Sequence, residues 1–171
     1  CAQFGLTVMA HCENESLTQG GAMNEGYTAT VLGIPGMPAE AEEIGIAQNV
    51  ILAGLTGCRL HLLHVSSSGG AEILRWARRR GIAVTAETAP HYLTLTDEAC
   101  MGFDANAKMN PPLRTEADRL ALLRAVADGT IDAIATDHAP HAEYEKDTEF
   151  DKAPFGIIGL ETAFGLIYTH L

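Results

Sequence analysis

Three residues carry the chemical content of this sequence: His11, His64 and Asp137. Each ends a short, mostly apolar run or follows directly on it. Gly5 to Ala10 precedes His11, Arg59 to Val65 carries His64 near its end, and Ile131 to Thr136 leads into Asp137. Runs of this kind read as strands buried in a parallel sheet. Strands of one parallel sheet point the same way, so their last residues meet at one rim. Barrel enzymes keep their chemistry at that rim. Imidazole nitrogen and carboxylate oxygen gathered there suit zinc and related divalent cations. The last run is the densest, with Asp137, His138 and His141 close together and Pro140 forbidding continuation of the strand.

Each of these residues also has a plainer role open to it. Asp137 reads equally well as the cap of a turn or of the next helix. His64 alone reads as a satisfied core histidine, and three coincident placements are what favour a metal site. His61 projects to the opposite face from His64 and reads as structural. Cys12 beside His11 raises a Cys–His nucleophile pair, but adjacent strand residues face opposite ways, so Cys12 reads as a small buried hydrophobe. Ser66 to Ser68 lack a nucleophile elbow and suit helix capping.

The elements that would position these residues alternate. After the first strand, residues 14 to 38 hold Gly20, Gly21, Gly26, Gly33, Pro35, Gly36 and Pro38, the composition of a long loop with at most short helical pieces. Ala39 to Leu55 is predicted as a helix, with acidic residues in its first turn and Gly57 as its stop. Strand 59–65 follows, then a helix from Ala71 to Arg80 capped by Ser68. Strand 82–88 leads through Pro90 to Leu95 into a short helical segment near 97–100. Thr115 caps a helix from Glu116 to Asp128, strand 131–136 comes next, 137–154 is a polar loop, and 156–171 is a helix. Four βα units imply a parallel sheet with its helices on one side. That is the α/β architecture of half a (β/α)8 barrel, which needs about 250 residues in full. No glycine fingerprint or Walker loop supports a nucleotide fold.

Composition limits the partners. The chain has 171 residues, 47% of them apolar, and a net charge of −11. The acidity disfavours nucleic acid and anionic membranes, which need a basic footprint. No apolar run reaches the roughly 18 residues of a membrane span, and no signal peptide is visible. The cysteines at 1, 12, 58 and 100 form no Cys-x-x-Cys pair, which suits a reducing cytoplasm.

Several words of the sequence together resemble the bacterial-type dihydroorotases of the amidohydrolase superfamily. They are Ala-His-Cys-Glu at 10–13, Gly-Met-Pro-Ala-Glu-Ala-Glu-Glu at 36–43 and Leu-His-Val-Ser at 63–66. Ala-Glu-Thr-Ala-Pro-His-Tyr-Leu at 86–93, Lys-Met-Asn-Pro-Pro-Leu-Arg at 108–114 and Ala-Thr-Asp-His-Ala-Pro-His at 135–141 follow in order. Pro-Phe-Gly-Ile-Ile-Gly-Leu-Glu-Thr at 154–162 completes the set. The resemblance covers nearly the whole chain and implies the second half of a metal-dependent TIM-type barrel, with residues 1–171 as a partial catalytic domain.

The resemblance implies the following roles. His11 and His64 would hold one metal of a binuclear zinc site. Asp137 would hold the other and act as general acid and base. Asn110 and His141 would contact the substrate, and the backbone at Phe155 and Gly156 would close over it. Residues 142–152 would form the active-site loop. The implied reaction is reversible cyclisation of N-carbamoyl-L-aspartate to dihydroorotate in pyrimidine synthesis. The family's His-x-His pair, its substrate-binding Arg and its acidic or carboxylated-lysine ligand are not in this chain. On that ground 171 residues alone are expected to be inactive, and to associate with themselves or with the complementary half. Two alternatives remain open: an allantoinase or hydantoinase, and a non-catalytic dihydroorotase-like subunit beside an aspartate transcarbamoylase.

Overall fold

The computed structural model describes residues 1–171. In chain order, strand β1 (Thr7–Ala10) is followed by helix α1 (Glu15–Thr18), strand β2 (Met23–Asn24), helix α2 (Tyr27–Leu32) and strand β3 (Gly36–Met37). Helix α3 (Ala39–Thr56), strand β4 (Arg59–Leu62), helix α4 (Ser68–Arg79) and strand β5 (Val84–Thr88) come next. Helices α5 (Pro90–Thr94) and α6 (Glu116–Ala127), strand β6 (Ala133–Ile134) and helices α7 (Glu143–Lys146) and α8 (Ala163–His170) complete the chain. No helix is long and apolar enough to cross a membrane.

The main sheet runs β1-β4-β5-β6 and every pairing in it is parallel. Met9 lies opposite His61, Leu62 opposite Ala86, and Thr88 opposite Ile134. Adjacent strands that are parallel need a crossover, and α3, α4 and α6 supply three of them. All three helices bury their apolar faces on one side of the sheet. Ile46, Val50, Leu74 and Leu122 close over Leu60, Leu62 and Ala86 in one continuous core. Each fully buried Leu or Ile there contributes about 1.5–3 kcal/mol. The other side of the sheet is polar and more open. There His61 is satisfied, through Nδ1 to Thr85 Oγ1 at 2.8 Å and Nε2 to Glu87 Oε2 at 3.0 Å, as its structural reading expected.

Local chemistry explains most boundaries. Gly57 ends α3 in the left-handed region at φ 68°, donating its N–H to Ala53 O, a conformation that L side chains resist. Thr115 and Asp118 form a reciprocal capping box at the start of α6, so an aspartate fills the position usually held by Glu or Gln. The cap of α4 is Ser67 and not Ser68, which is the first helical residue; Ser67 Oγ accepts from Gly70 N at 3.1 Å.

Other expectations need correction. Residues 14–38 are not one loop, because β2 and β3 pair in parallel as a second small sheet flanked by α1 and α2. Two-residue strands carry too little periodicity to be seen in a sequence. The 131–136 run keeps strand geometry only at 133–134, the 137–154 loop contains α7, and the last helix begins at Ala163 instead of 156.

Candidate metal centre and substrate site

His11 follows β1 directly, and His64 lies two residues past β4, the neighbouring strand. Their rings meet edge to face, with His11 Nδ1 facing His64 Nε2 at 3.0 Å. Asp137 lies three residues past β6, and its charge reaches His64. His64 and Asp137 share a backbone peculiarity. Both have positive φ, 36° and 45°, although neither is glycine. Such conformations cost about 1–3 kcal/mol each and persist where the surroundings over-determine them. Burial and the neighbouring His11 lower the pKa of His64, while the Asp137 charge works the other way.

Three buried polar atoms here have no hydrogen-bond partner: His64 Nδ1, His91 Nε2 and Asp137 Oδ2. Buried polar groups without partners are rare and mark places where a ligand, ion or water belongs. Yet no three His, Cys, Asp or Glu side chains converge closely enough to enclose a cation. The facing pair is therefore the well-formed part of the site, and Asp137 stands near it without closing it.

Two residues at the site were not singled out from sequence. Glu13, two residues past His11, accepts from His11 Nε2 at 2.8 Å, from Asn110 Nδ2 at 2.9 Å and from Thr18 Oγ1. Burial would raise its pKa, but the hydrogen bonds from His11, Thr18 and Asn110 bring it below the usual carboxylate value. Glu13 thus fixes the His11 ring so that Nδ1 points at His64, and it ties Asn110 to the same spot. The second is His91, on α5 just past β5. Burial, and then the neighbouring His64, pushes it down to about 3, so it is neutral at physiological pH. The signal for His91 was present in the sequence: it is an imidazole at a strand end, like His11 and His64.

A buried network supports the pair from behind. The Arg114 guanidinium donates to Ser66 Oγ at 3.1 Å, Asn24 Oδ1 at 2.9 Å and Met37 O at 2.8 Å. It lies 3.7 Å from Glu42, which accepts from the backbone N–H of Ser66 at 2.7 Å and from its hydroxyl at 2.6 Å. The turn after His64, the start of α3, the β2-β3 sheet and the segment after Asn110 are thereby joined through one cation. Cys12 Sγ donates to Ala10 O and accepts from Asn49 Nδ2, and makes no hydrogen bond to His11. It is buried against α3, near Asn49 Nδ2, and burial pushes its thiol up to about 12.

The expected substrate contacts form two groups. Asn110 sits with Glu13 and His11. His141, Phe155 and Gly156 sit together, with His141 Nε2 on Phe155 O at 2.9 Å, and His141 and Gly156 line a cavity of about 720 Å³. The second group is tied to the segment that carries Asn110 through Gly156 N–H, which donates to Lys108 O at 2.8 Å.

A family model described as dihydro-orotase-like matches residues 1–69. A dihydroorotase of Pelotomaculum thermopropionicum is 55% identical over 98% of the chain, which spans 39% of that protein. One of Syntrophobacter fumaroxidans is 56% identical over 96% of the chain and 37% of the relative. The chain therefore spans about two fifths of the length of the curated relatives it matches. Among solved structures, the L-hydantoinase of Arthrobacter aurescens superposes with a TM-score of 0.85 at 29% identity, over 97% of this chain and 38% of that one. A dihydropyrimidinase of Brevibacillus agri gives 0.80 at 25%, over 98% and 38%. The parallel βα units described above are thus part of a TIM-type amidohydrolase barrel.

Proposed function

From a chain similar to dihydroorotases over nearly its whole length, 55% identical over 168 residues to that of Pelotomaculum thermopropionicum, we propose a function for the whole protein. It is reversible ring closure of N-carbamoyl-L-aspartate to dihydroorotate. The observation that carries this reading is the facing pair, His11 Nδ1 and His64 Nε2, at the carboxyl ends of adjacent parallel strands. Two nitrogens bound to one tetrahedral zinc at about 2.0–2.1 Å would stand about 3.3 Å apart. The pair stands 3.0 Å apart as an N–H···N hydrogen bond, so a metal would take the place of the shared proton with an opening of about 0.3 Å. The hydrogen bond of His11 to Glu13 also fits, since a ligating imidazole normally rests its other nitrogen on a carboxylate or carbonyl. His64 departs from that pattern, because its Nδ1 has no partner.

His11 and His64 would hold a divalent metal of the zinc class, with Asp137 beside it. A metal bound there lowers the pKa of water and polarises a carbonyl. The remaining work falls to side chains of this chain. In ring opening, Asp137 takes the proton of the attacking water and delivers it to the ring nitrogen as the amide bond breaks; ring closure runs the same transfers backwards. Its orphaned Oδ2 is available for that proton. Asn110 and the His141–Phe155–Gly156 group orient the substrate. A reducing cytoplasm accords with four free cysteines.

The solved neighbours named hydantoinase and dihydropyrimidinase favour a second reading, a related cyclic amidohydrolase. The identities, 55% against 29%, favour the first. Ring opening of dihydroorotate, allantoin and hydantoin by the whole purified protein separates them. Turnover of dihydroorotate at least tenfold faster than of the others is expected. Preference for hydantoin or allantoin, or turnover of none of the three, would remove the first reading.

A further inference from the structure

The Lys146 side chain stands at the end of α7, inside the segment 142–152. Its ammonium group donates to three backbone carbonyls at once: Ala105 O at 2.9 Å, Pro154 O at 2.9 Å and Gly156 O at 2.8 Å. An ammonium has three protons and no acceptor, so every donor is used and each lands on main chain. Two of the three carbonyls flank Phe155. The third belongs to the 3-10 turn Ala105–Ala107, just ahead of Lys108 and Asn110.

The neighbouring polar groups complete the arrangement. Phe155 O is taken by His141, and Gly156 N–H donates to Lys108 O. Lys108 Nζ donates to Asp151 O at 2.9 Å and lies over the rings of Phe155 and Phe150 at 4.5 and 5.6 Å. All three carbonyls of Pro154, Phe155 and Gly156 therefore have a donor, and two of the three bonds come from Lys146. Gly156 adopts φ 155°, and a Cβ there would strike the backbone oxygen of Ala139. Lys146 thus ties its own segment to the backbone on both sides of Phe155 and to the Ala105 turn. Burial lowers the pKa of Lys146, which Asp104 partly offsets. The charge is accordingly held at some cost, as a group with a positioning role would be.

We propose that Lys146 is a positioning residue, a latch that ties the 142–152 segment to the Ala105 turn and fixes the Pro154–Gly156 backbone where it would meet the substrate. This rests on the proposed function for its substrate, but the latch itself is a property of the fold. Lys146 makes no contact with the reacting atoms, so its loss should weaken substrate binding more than the chemical step. Charge-assisted hydrogen bonds lost without replacement correspond to about a tenfold to hundredfold effect on KM.

The test compares Lys146→Met and Lys146→Arg with the unaltered whole protein. Amide hydrogen exchange of residues 143–156 is measured without substrate, alongside KM and kcat for dihydroorotate. Lys146→Met should speed exchange in that segment about tenfold or more, and leave α3 and α4 unchanged. It should raise KM at least tenfold with kcat within about threefold. Lys146→Arg, which keeps a cation and several donors, should fall between. Unchanged exchange in Lys146→Met overturns the latch. So does faster exchange throughout the chain, which would mean general destabilisation, and so does a loss confined to kcat. If the unaltered protein does not open dihydroorotate, the functional reading fails while the exchange comparison still decides the latch.

Discussion

Two glycines on one helix allow a sharp test of how the site is held. Gly45 and Gly54 both lie within α3, so alanine at either gains about 0.8–1.0 kcal/mol of helix propensity. Their neighbours differ. A Cβ at Gly45 would sit 2.7 Å from Glu13 N and 2.9 Å from Cys12 C, the backbone immediately after His11. A Cβ at Gly54 would meet the end of the flexible Ile82 side chain at 3.2 Å. Ordinary contact begins at 3.4 Å, so Gly45→Ala must push main chain back by roughly 0.5–0.7 Å, while Gly54→Ala needs only a small side-chain shift. Overpacking of that kind costs about 1–3 kcal/mol. Net of propensity, Gly45→Ala should destabilise by about 0–2 kcal/mol and Gly54→Ala should be neutral or stabilising. The functional gap should be wider. A displacement approaching 1 Å at a reacting group costs about a hundredfold, so Gly45→Ala should lose about 10–100-fold in kcat/KM and release metal more readily to a chelator. Melting temperature, bound metal and kcat/KM of the whole protein measure all three effects. A Gly45→Ala protein that melts higher and keeps its metal and rate would refute the argument. Equal losses in the two variants would refute it too.

His64→Ala should cut bound metal and lower turnover by orders of magnitude, whereas Asp137→Asn should lower turnover even where metal is retained, since an amide cannot shuttle the proton; metal analysis beside kinetics checks both. Arg114→Met leaves Glu42 as an uncompensated buried charge and should cost about 3–5 kcal/mol. Glu42→Gln combined with Arg114→Met should cost less than Arg114→Met alone, and equal or greater loss in the double variant would show that the pair is not coupled. Burial pushes the Cys12 and Cys100 thiols up to about 12 and 11. Their thiolates are therefore scarce at pH 8, and alkylation should be far slower in the native chain than after unfolding; mapping by mass spectrometry reads this directly. His91 is held neutral to about pH 3, so the unfolded chain binds a proton that the native chain refuses between about pH 6.5 and 3. Stability should fall through that window as pH falls, by at most about 1.4 kcal/mol per pH unit from this group, and His91→Phe should flatten the slope of urea midpoints against pH.

How much was legible from sequence depended on the range of the interaction. The parallel βα order, α3, α6 and the strand-end positions of His11, His64 and Asp137 followed from local pattern, because burial on one helix face or within a strand leaves a period in the sequence. Glu13 stood in plain view two residues after His11, but its role depends on Asn110, which lies 97 residues away in sequence. Arg114 likewise joins Asn24, Met37, Glu42 and Ser66, a set with no common spacing. The β2-β3 sheet was missed because a pair of two-residue strands draws its stability from what it packs on and not from its own alternation.

The backbone at His64 and Asp137 was invisible for a different reason. Nothing in a residue's type announces a positive φ when the residue is not glycine, since the local preference is against it. Here the environment must overrule that preference twice. At His64 the overruling contacts are on view. Val65 donates to Glu87 O and accepts from Thr88 Oγ1, and Ser66 is held by Glu42 and Arg114. The turn is therefore clamped from its far side within two residues of the imidazole. A ring on such a turn has little freedom to follow a ligand, so the 3.0 Å approach of His64 to His11 is set by the protein before anything binds. That preorganisation explains why the strain is worth keeping. A glycine at position 64 would adopt the turn without cost but carry no ring nitrogen to face His11.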